Sequence, residues 1–410
     1  MSPVRRGVFA GSLLRESWAM GYNHRISLVR VFLAPACGFL LLLVSSPARA
    51  QLSTDEHLSL EPFWPTETDS PRDQYAPTAA CESCHSKICA TQKTTSMANS
   101  AEPVNQSGIL HTHRKVDFSA GHFQYEVKTC TIGSRYVVTD GQQTLAYSLA
   151  WAFGVGRVGQ SYLFKKEDGN FYEARVSFFE RLGALGFTPG RALSSPKDTD
   201  EALARKLPPA EAKKCFSCHT TASIFNGLLD EKNLVPGVGC QACHGPGAKH
   251  ASAMQAAQFA GVADAGSSSI FNPQKLQPED SVDFCGACHG TFRDVEVSKI
   301  TGVSNVRSQP YRLEISKCWE KADARLTCIA CHDPHLPLET EDASYDHVCL
   351  SCHLNVQGTK TTSDHPGAAC PTSTKDCTSC HMPKVFVPEM HADFTDHRIR
   401  VARKDRAYPD

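Results

Sequence analysis

One pattern limits this chain more than any other. C-x-x-C-H occurs seven times, at residues 81–85, 215–219, 240–244, 285–289, 328–332, 349–353 and 377–381. With 19 cysteines and 18 histidines among 410 residues, chance would supply on the order of 0.04 such matches. The spacing is that of covalent c-type haem attachment. Two thiols three residues apart share one helical turn and can reach the two vinyl groups on one edge of a porphyrin. The histidine that follows swings beneath the ring and offers a nitrogen to the iron. Structural zinc also uses C-x-x-C pairs, but it needs no histidine directly after the second cysteine, and all seven pairs have one. The expected cofactor is therefore haem c, seven copies. The attachment points are Cys81, Cys84, Cys215, Cys218, Cys240, Cys243, Cys285, Cys288, Cys328, Cys331, Cys349, Cys352, Cys377 and Cys380, and the proximal ligands are His85, His219, His244, His289, His332, His353 and His381.

Residues 1–50 read as an export leader. The apolar run VFLAPACGFLLLLVSS follows Arg25 and Arg30 and ends in Ala48-Arg49-Ala50, a small-x-small cleavage site, so cleavage is expected after Ala50. Five cysteines lie outside the motifs, Cys37 in the leader, and export, to a periplasm or beyond, also makes disulfides available to the other four, Cys89, Cys130, Cys318 and Cys370. Pairing Cys89 with Cys130 and Cys318 with Cys370 is one of three possibilities. Without the leader, 36 Lys+Arg face 42 Asp+Glu, a formal charge of −6. That balance argues against nucleic acid and suits a redox protein that meets donor and acceptor proteins, with no stable membrane span after cleavage.

Seven haems on such a chain leave roughly fifty residues for each, too few for an ordinary side-chain core. The expected fold is mainly α with much irregular loop, wrapped around packed haems. Between the first two motifs the character changes. FQYEV, SRYVVTD, SYLFKK and FYEARVSFF alternate, and Asp168-Gly169 between the last two reads as a hairpin turn. The expected order is a segment 51–114 with the first motif, a haemless β-rich insertion at 115–190, a helical connector at 191–214 and a six-haem domain at 215–410.

Ten histidines past the leader lie outside the motifs: His57, His111, His113, His122, His250, His335, His347, His365, His391 and His397. They suffice to give every iron a second histidine. In GVGCQACHGPGAKH, His250 stands six residues beyond His244 and past a Gly-Pro-Gly turn. It cannot easily reach the far face of the same ring but can cap a neighbouring one. His335, after Asp333-Pro334, follows the same logic.

The blocks TAACESCHSK, GVGCQACHGPGAKH, LTCIACHDPH, DHPGAACPTSTKDCTSCHMPK and FTDHRIRV together resemble the multihaem cytochrome c-552/c-554 group, which is related to multihaem nitrite and hydroxylamine enzymes. The resemblance implies closely packed haems with distal histidines from such positions as His250, His335, His365 and His397. It fails near the first motif. Many relatives have a histidine about a dozen residues on, where this chain reads TTSMANS; Met97 is the obvious substitute as axial ligand, the alternative being that it only packs against the ring. A Met/His pair would raise that haem's potential.

Two functions follow. An electron carrier needs only touching haems with saturated irons. A reductase or oxidase of a small nitrogen or sulfur compound needs one open iron and nearby acid–base groups. No C-x-x-C-K motif, the variant tied to the nitrite-reducing relatives, occurs here, which favours the carrier.

Overall fold

Strands form where the sequence alternates, and the alternation between the first two motifs is longer and better buried than the sequence suggests. The computed structural model describes residues 70–261, 269–320, 326–353 and 370–402. The leader, His57 and His365 lie outside the described residues.

Ten strands lie between the first and second motifs: β1 (Ala101–Pro103), β2 (Lys115–Ala120), β3 (Phe123–Cys130), β4 (Gly133–Thr139), β5 (Thr144–Ser148), β6 (Trp151–Phe153), β7 (Gln160–Lys165), β8 (Phe171–Phe179), β9 (Ala184–Phe187) and β10 (Ala204–Lys206). All pairings are antiparallel. One sheet runs β2-β3-β4-β5; the other runs β1-β6-β7-β8-β10, with β9 also on β8. The period-2 rule sets the faces. On β3, Phe123, Tyr125 and Val127 point inward; opposite them on β4, Val138 pairs with Tyr125 and Tyr136 with Val127. On β8, which is buried on both faces over its second half, Val176 and Phe178 join the same cluster as Tyr162, Phe164 and Leu203. The β7–β8 hairpin turns at Gly169, whose φ of +74° glycine adopts without strain.

This overturns the expectation of a mainly helical chain, since two multi-stranded antiparallel sheets hold its largest buried cluster. The physical reason is that a haemless stretch must bury its own side chains, whereas each motif needs only a turn or two of helix. The motif helices are accordingly short: Thr78–Gln92, Pro209–His219, Cys240–His244, Pro278–His289, Cys328–Cys331, Asp346–His353 and Cys377–His381. Among the described residues, apolar clusters beyond residue 270 are small: Val306, Val387, Met390 and Ala392 form one, and Val282, Leu313 and Trp319 another. A ribbon of Lys384–Val387 against Ala392–Thr395 ties this part to the sheets. There Arg181 bonds Asp393 at 2.9 Å, and the Glu389 carboxylate accepts from Gly190 N at 2.8 Å.

Candidate cofactor sites

Two of the proximal histidines face a second histidine ring. The ring centroids of His244 and His335 stand 6.1 Å apart with planes 9° from parallel; those of His332 and His397 stand 6.1 Å apart at 39°. That separation would accommodate a metal between the two rings. Two metal–imidazole bonds of about 2.0–2.1 Å, with the ring radii added, give about this spacing. The second residue of each pair is one the sequence singled out.

The other ring nitrogen is anchored in each case. His244 Nδ1 donates to Phe271 O at 2.9 Å and His397 Nδ1 to Thr395 O at 3.0 Å, while His335 Nδ1 lies 3.2 Å from Asp333 Oδ1 and His332 Nδ1 lies 3.5 Å from the Tyr345 hydroxyl. Two further proximal rings follow the rule, His219 donating to Ser100 O at 3.1 Å and His381 to Arg400 O at 3.0 Å. A carbonyl can only accept, so Nδ1 carries the proton and Nε2 keeps its lone pair for a metal. Burial also favours the neutral ring at several of the sites. It pulls His219, His244, His289 and His332 below the ordinary histidine value, and His397 down to about 4. The residues present thus fit flat groups held from both faces.

The helices that carry the motifs are also fixed to one another. Gln241 clamps the approach to the first motif: its Oε1 accepts from Ala76 N at 2.8 Å and its Nε2 donates to Ala76 O at 2.8 Å. The segment after the first motif meets the approach to the third, with Val238 N donating to Met97 O at 2.9 Å and Gln92 Nε2 to Val238 O at 2.7 Å. Gly237 is required there, because a Cβ would fall 1.8 Å from Ala98 O. The Gly-Pro-Gly turn forms as expected, with Gly245 at φ +70° and His250 placed in the first turn of Ala248–Ala260. The charges of both His85 and His250 bear on His244, which brings all three rings into one neighbourhood. Met97 is half-buried.

Other candidates lie elsewhere. His113 packs on Phe178 with centroids 4.7 Å apart, His122 on Phe123 at 4.0 Å, and His391 on Phe179 at 4.6 Å, so these three serve or border the sheets. His111 is exposed on the helix Gly108–Thr112, and His347 is exposed with Nδ1 2.8 Å from Ser344 O. Cys89 is buried beside Cys81 and Cys240, whereas Cys130 is exposed and its thiol donates to Gly133 O at 3.4 Å. The Cys89–Cys130 disulfide is therefore not formed. Cys318 lies near Cys349, and Cys370 is exposed.

Two features escape a sequence reading. Arg312 and Asp396, 84 residues apart and almost fully buried, form a two-pronged ion pair at 2.8 and 2.9 Å, to which Arg400 adds a bond at 2.5 Å. Burial opposes ionisation of Asp396, but the Arg312 bonds and charge outweigh it and hold the carboxyl below its ordinary value. The pair directly precedes His397. Nearby, burial first and neighbouring carboxylates second push Glu314 up to about 9 and Asp283 up to about 6. Glu314 stands close enough for its charge to reach Cys328.

Comparison with known proteins agrees with this chemistry. The family profile described as cytochrome c554 and c-prime matches residues 191–245, which carry the second and third motifs. The high-molecular-weight cytochrome c of Nitratidesulfovibrio vulgaris is 26% identical over 221 residues, 52% of this chain and 32% of that protein. The multiheme cytochrome MtrA of Shewanella baltica is 26% identical over 220 residues, 41% of this chain and 62% of that protein. The chain thus spans less than two thirds of the length of these relatives. The outer cell wall cytochrome OcwA superposes over 80% of each chain with a TM-score of 0.40 and 15% identity.

Proposed function

This chain is a multihaem c-type cytochrome, and from that premise we propose that it carries electrons outside the cytoplasm through seven covalently attached haems. The observation that carries the reading is the pair of imidazole gaps, His244–His335 and His332–His397, each 6.1 Å wide between centroids and each lying at a C-x-x-C-H motif. Bound there, haem supplies one-electron chemistry. The residues of the chain do the rest. Paired cysteines would hold each group, and the proximal histidines, joined at two motifs by His335 and His397, would offer imidazole nitrogens to it. The Nδ1 anchors hold the rings in the ligating tautomer. His250 takes the iron held at His85, supported by the shared neighbourhood of the two rings, with Met97 as the competing ligand. His365 is assigned the same role at a further motif by resemblance alone. Donor and acceptor are redox proteins, and a six-coordinate iron leaves no place for a small substrate.

A second reading draws on Glu314 and Asp283. A buried carboxyl that keeps its proton near neutral pH, as Glu314 does, beside one that titrates a little below it, as Asp283 does, is what an oxidoreductase of a small nitrogen or sulfur compound would need beside an open iron. Low-temperature EPR of the oxidised protein separates the two. The carrier reading expects low-spin ferric signals throughout; a high-spin signal worth one haem would favour the enzyme. His335→Ala and His397→Ala should each convert one haem equivalent from low to high spin without loss of covalent attachment.

A further inference from the structure

We infer that Arg175 and Arg191, in the haemless sheet unit, form a binding site for a small divalent oxyanion of the phosphate or sulfate kind. The inference goes beyond the haem reading and does not depend on it, because every residue involved lies between the first two motifs.

Arg175 stands on β8, in the interior, and is 2% exposed. Charged side chains are almost never buried so fully without a partner of opposite sign. Its Nη2 donates to Arg191 O at 3.0 Å and also to Ser194 O, and its guanidinium lies over the Phe187 ring, 5.4 Å from the centroid. Carbonyl dipoles and a ring face ease the desolvation of a cation, but they bring no negative charge. The Nε of Arg175 is buried and, among the described residues, has no hydrogen-bond partner.

The turn that covers this side chain brings a second cation. Thr188 N donates to Arg175 O and Arg191 N to Thr188 O, each at 2.9 Å, so the chain after β9 folds Arg191 back over β8. The Arg191 Nε is likewise buried and, among the described residues, without a partner. Burial first and the charge of Arg175 second pull Arg191 below the ordinary arginine range. Glu173, which pulls the other way, is already bound to Arg205 at 2.8 Å. A guanidinium does not give up its proton in a protein. Two like charges therefore share one interior, each with an N–H donor still unmet. Tyr125, buried on β3, lies close enough for both charges to reach its hydroxyl.

The ligand class follows from that set. One divalent anion neutralises two fixed positive charges, whereas chloride or another monovalent ion would leave one of them unmet. Guanidinium N–H groups only donate, so the ligand must present several acceptor oxygens. Sulfate and hydrogenphosphate meet both conditions. The way in is short. Ala192, Leu193 and Ser194 are exposed, Leu193 at 85%, so one irregular turn separates the arginines from solvent. An ion held there would tie that turn to β8 and stabilise the sheet unit in proportion to its occupancy.

Calorimetric titration of sulfate, and separately of phosphate, into the purified holoprotein tests the site, at constant ionic strength and with chloride as the monovalent comparison. One ion should bind per chain and the thermal unfolding midpoint should rise to a plateau, and chloride should do neither. A response to one dianion and not the other would identify the ligand. Arg191→Gln removes a charge and a donor from the turn and should weaken binding at least about tenfold. Lys128→Gln, at an exposed lysine of the same sheet unit, should leave the affinity unchanged. Heats and midpoints that never saturate with either ion would overturn the site, as would Arg191→Gln binding as tightly as the natural chain. Should Arg191→Gln fail to fold, the titrations of the natural chain decide the matter alone.

Discussion

Removing the Asp396 carboxylate should cost more than any other single change outside the motifs. Arg312 is 1% exposed and Asp396 0%, so Asp396→Ala leaves a guanidinium in the interior with its two carboxylate bonds, at 2.8 and 2.9 Å, both gone. Breaking a buried pair by deleting one partner costs about 3–5 kcal/mol, because the surviving charge stays desolvated. Arg400, which bonds the same carboxylate, adds repulsion once the anion is lost. The expected loss is therefore at the upper end of that range. The double replacement Arg312→Met/Asp396→Leu removes both charges and should recover most of it. Guanidinium unfolding followed by tryptophan fluorescence gives the midpoint and slope for all three proteins. The same samples should show the His397 iron turning high spin in Asp396→Ala, because the carboxylate also accepts Arg398 N at 3.1 Å and so shapes the turn that presents His397. A single-variant loss below about 1 kcal/mol, or a double variant as unstable as the sum of its parts, would refute the reasoning.

Three more outcomes are expected. Glu314, raised to about 9 by burial and then by Asp283 and Glu279, binds its proton more tightly folded than unfolded. Its stabilising contribution is full below about pH 4.3 and is lost as pH rises toward 9, so Glu314→Gln should flatten the fall in thermal midpoint over that window; parallel slopes would count against the burial argument. Met97→Ala should leave the near-infrared spectrum of the oxidised protein unchanged while His250→Ala turns one haem high spin, and loss of a methionine–iron band on Met97→Ala would reverse the assignment. Phe164, with no exposed surface and stacked on Tyr147 at 5.1 Å, should cost about 3–5 kcal/mol when cut to alanine. Proteolysis would show that loss confined to residues 101–207, with motif absorbance unaltered.

What the sequence revealed and what it hid divide along a physical line. The motifs were legible because attachment chemistry demands fixed residue types at fixed spacing, and the β7–β8 hairpin because Asp168-Gly169 sits between alternating runs. The weight of the sheets was not. β1 and β10 are three residues each, too short to show a period, and they are recruited by pairing with Phe153 and Ala174 across long separations. His335 and His397 could be named as ligand candidates from their context, but their partners among the seven motifs come from tertiary packing. The Nδ1 acceptors, such as Phe271 O and Ser100 O, are backbone atoms that carry no signature at all. Arg312 and Asp396, 84 positions apart in the sequence, look like ordinary surface residues until the fold brings them together. The Cys89–Cys130 pairing failed for a related reason. Both are spare thiols by arithmetic, yet one belongs to the first motif's helix and the other to a strand end of the sheets.

The account turns on thioether-bound haem at seven places, and intact-mass spectrometry of the purified protein tests that most directly. The mass should exceed that of the cleaved polypeptide by seven haem groups and should survive acid–organic extraction that strips non-covalent haem. A mass equal to the bare chain, or a colourless protein, would contradict it.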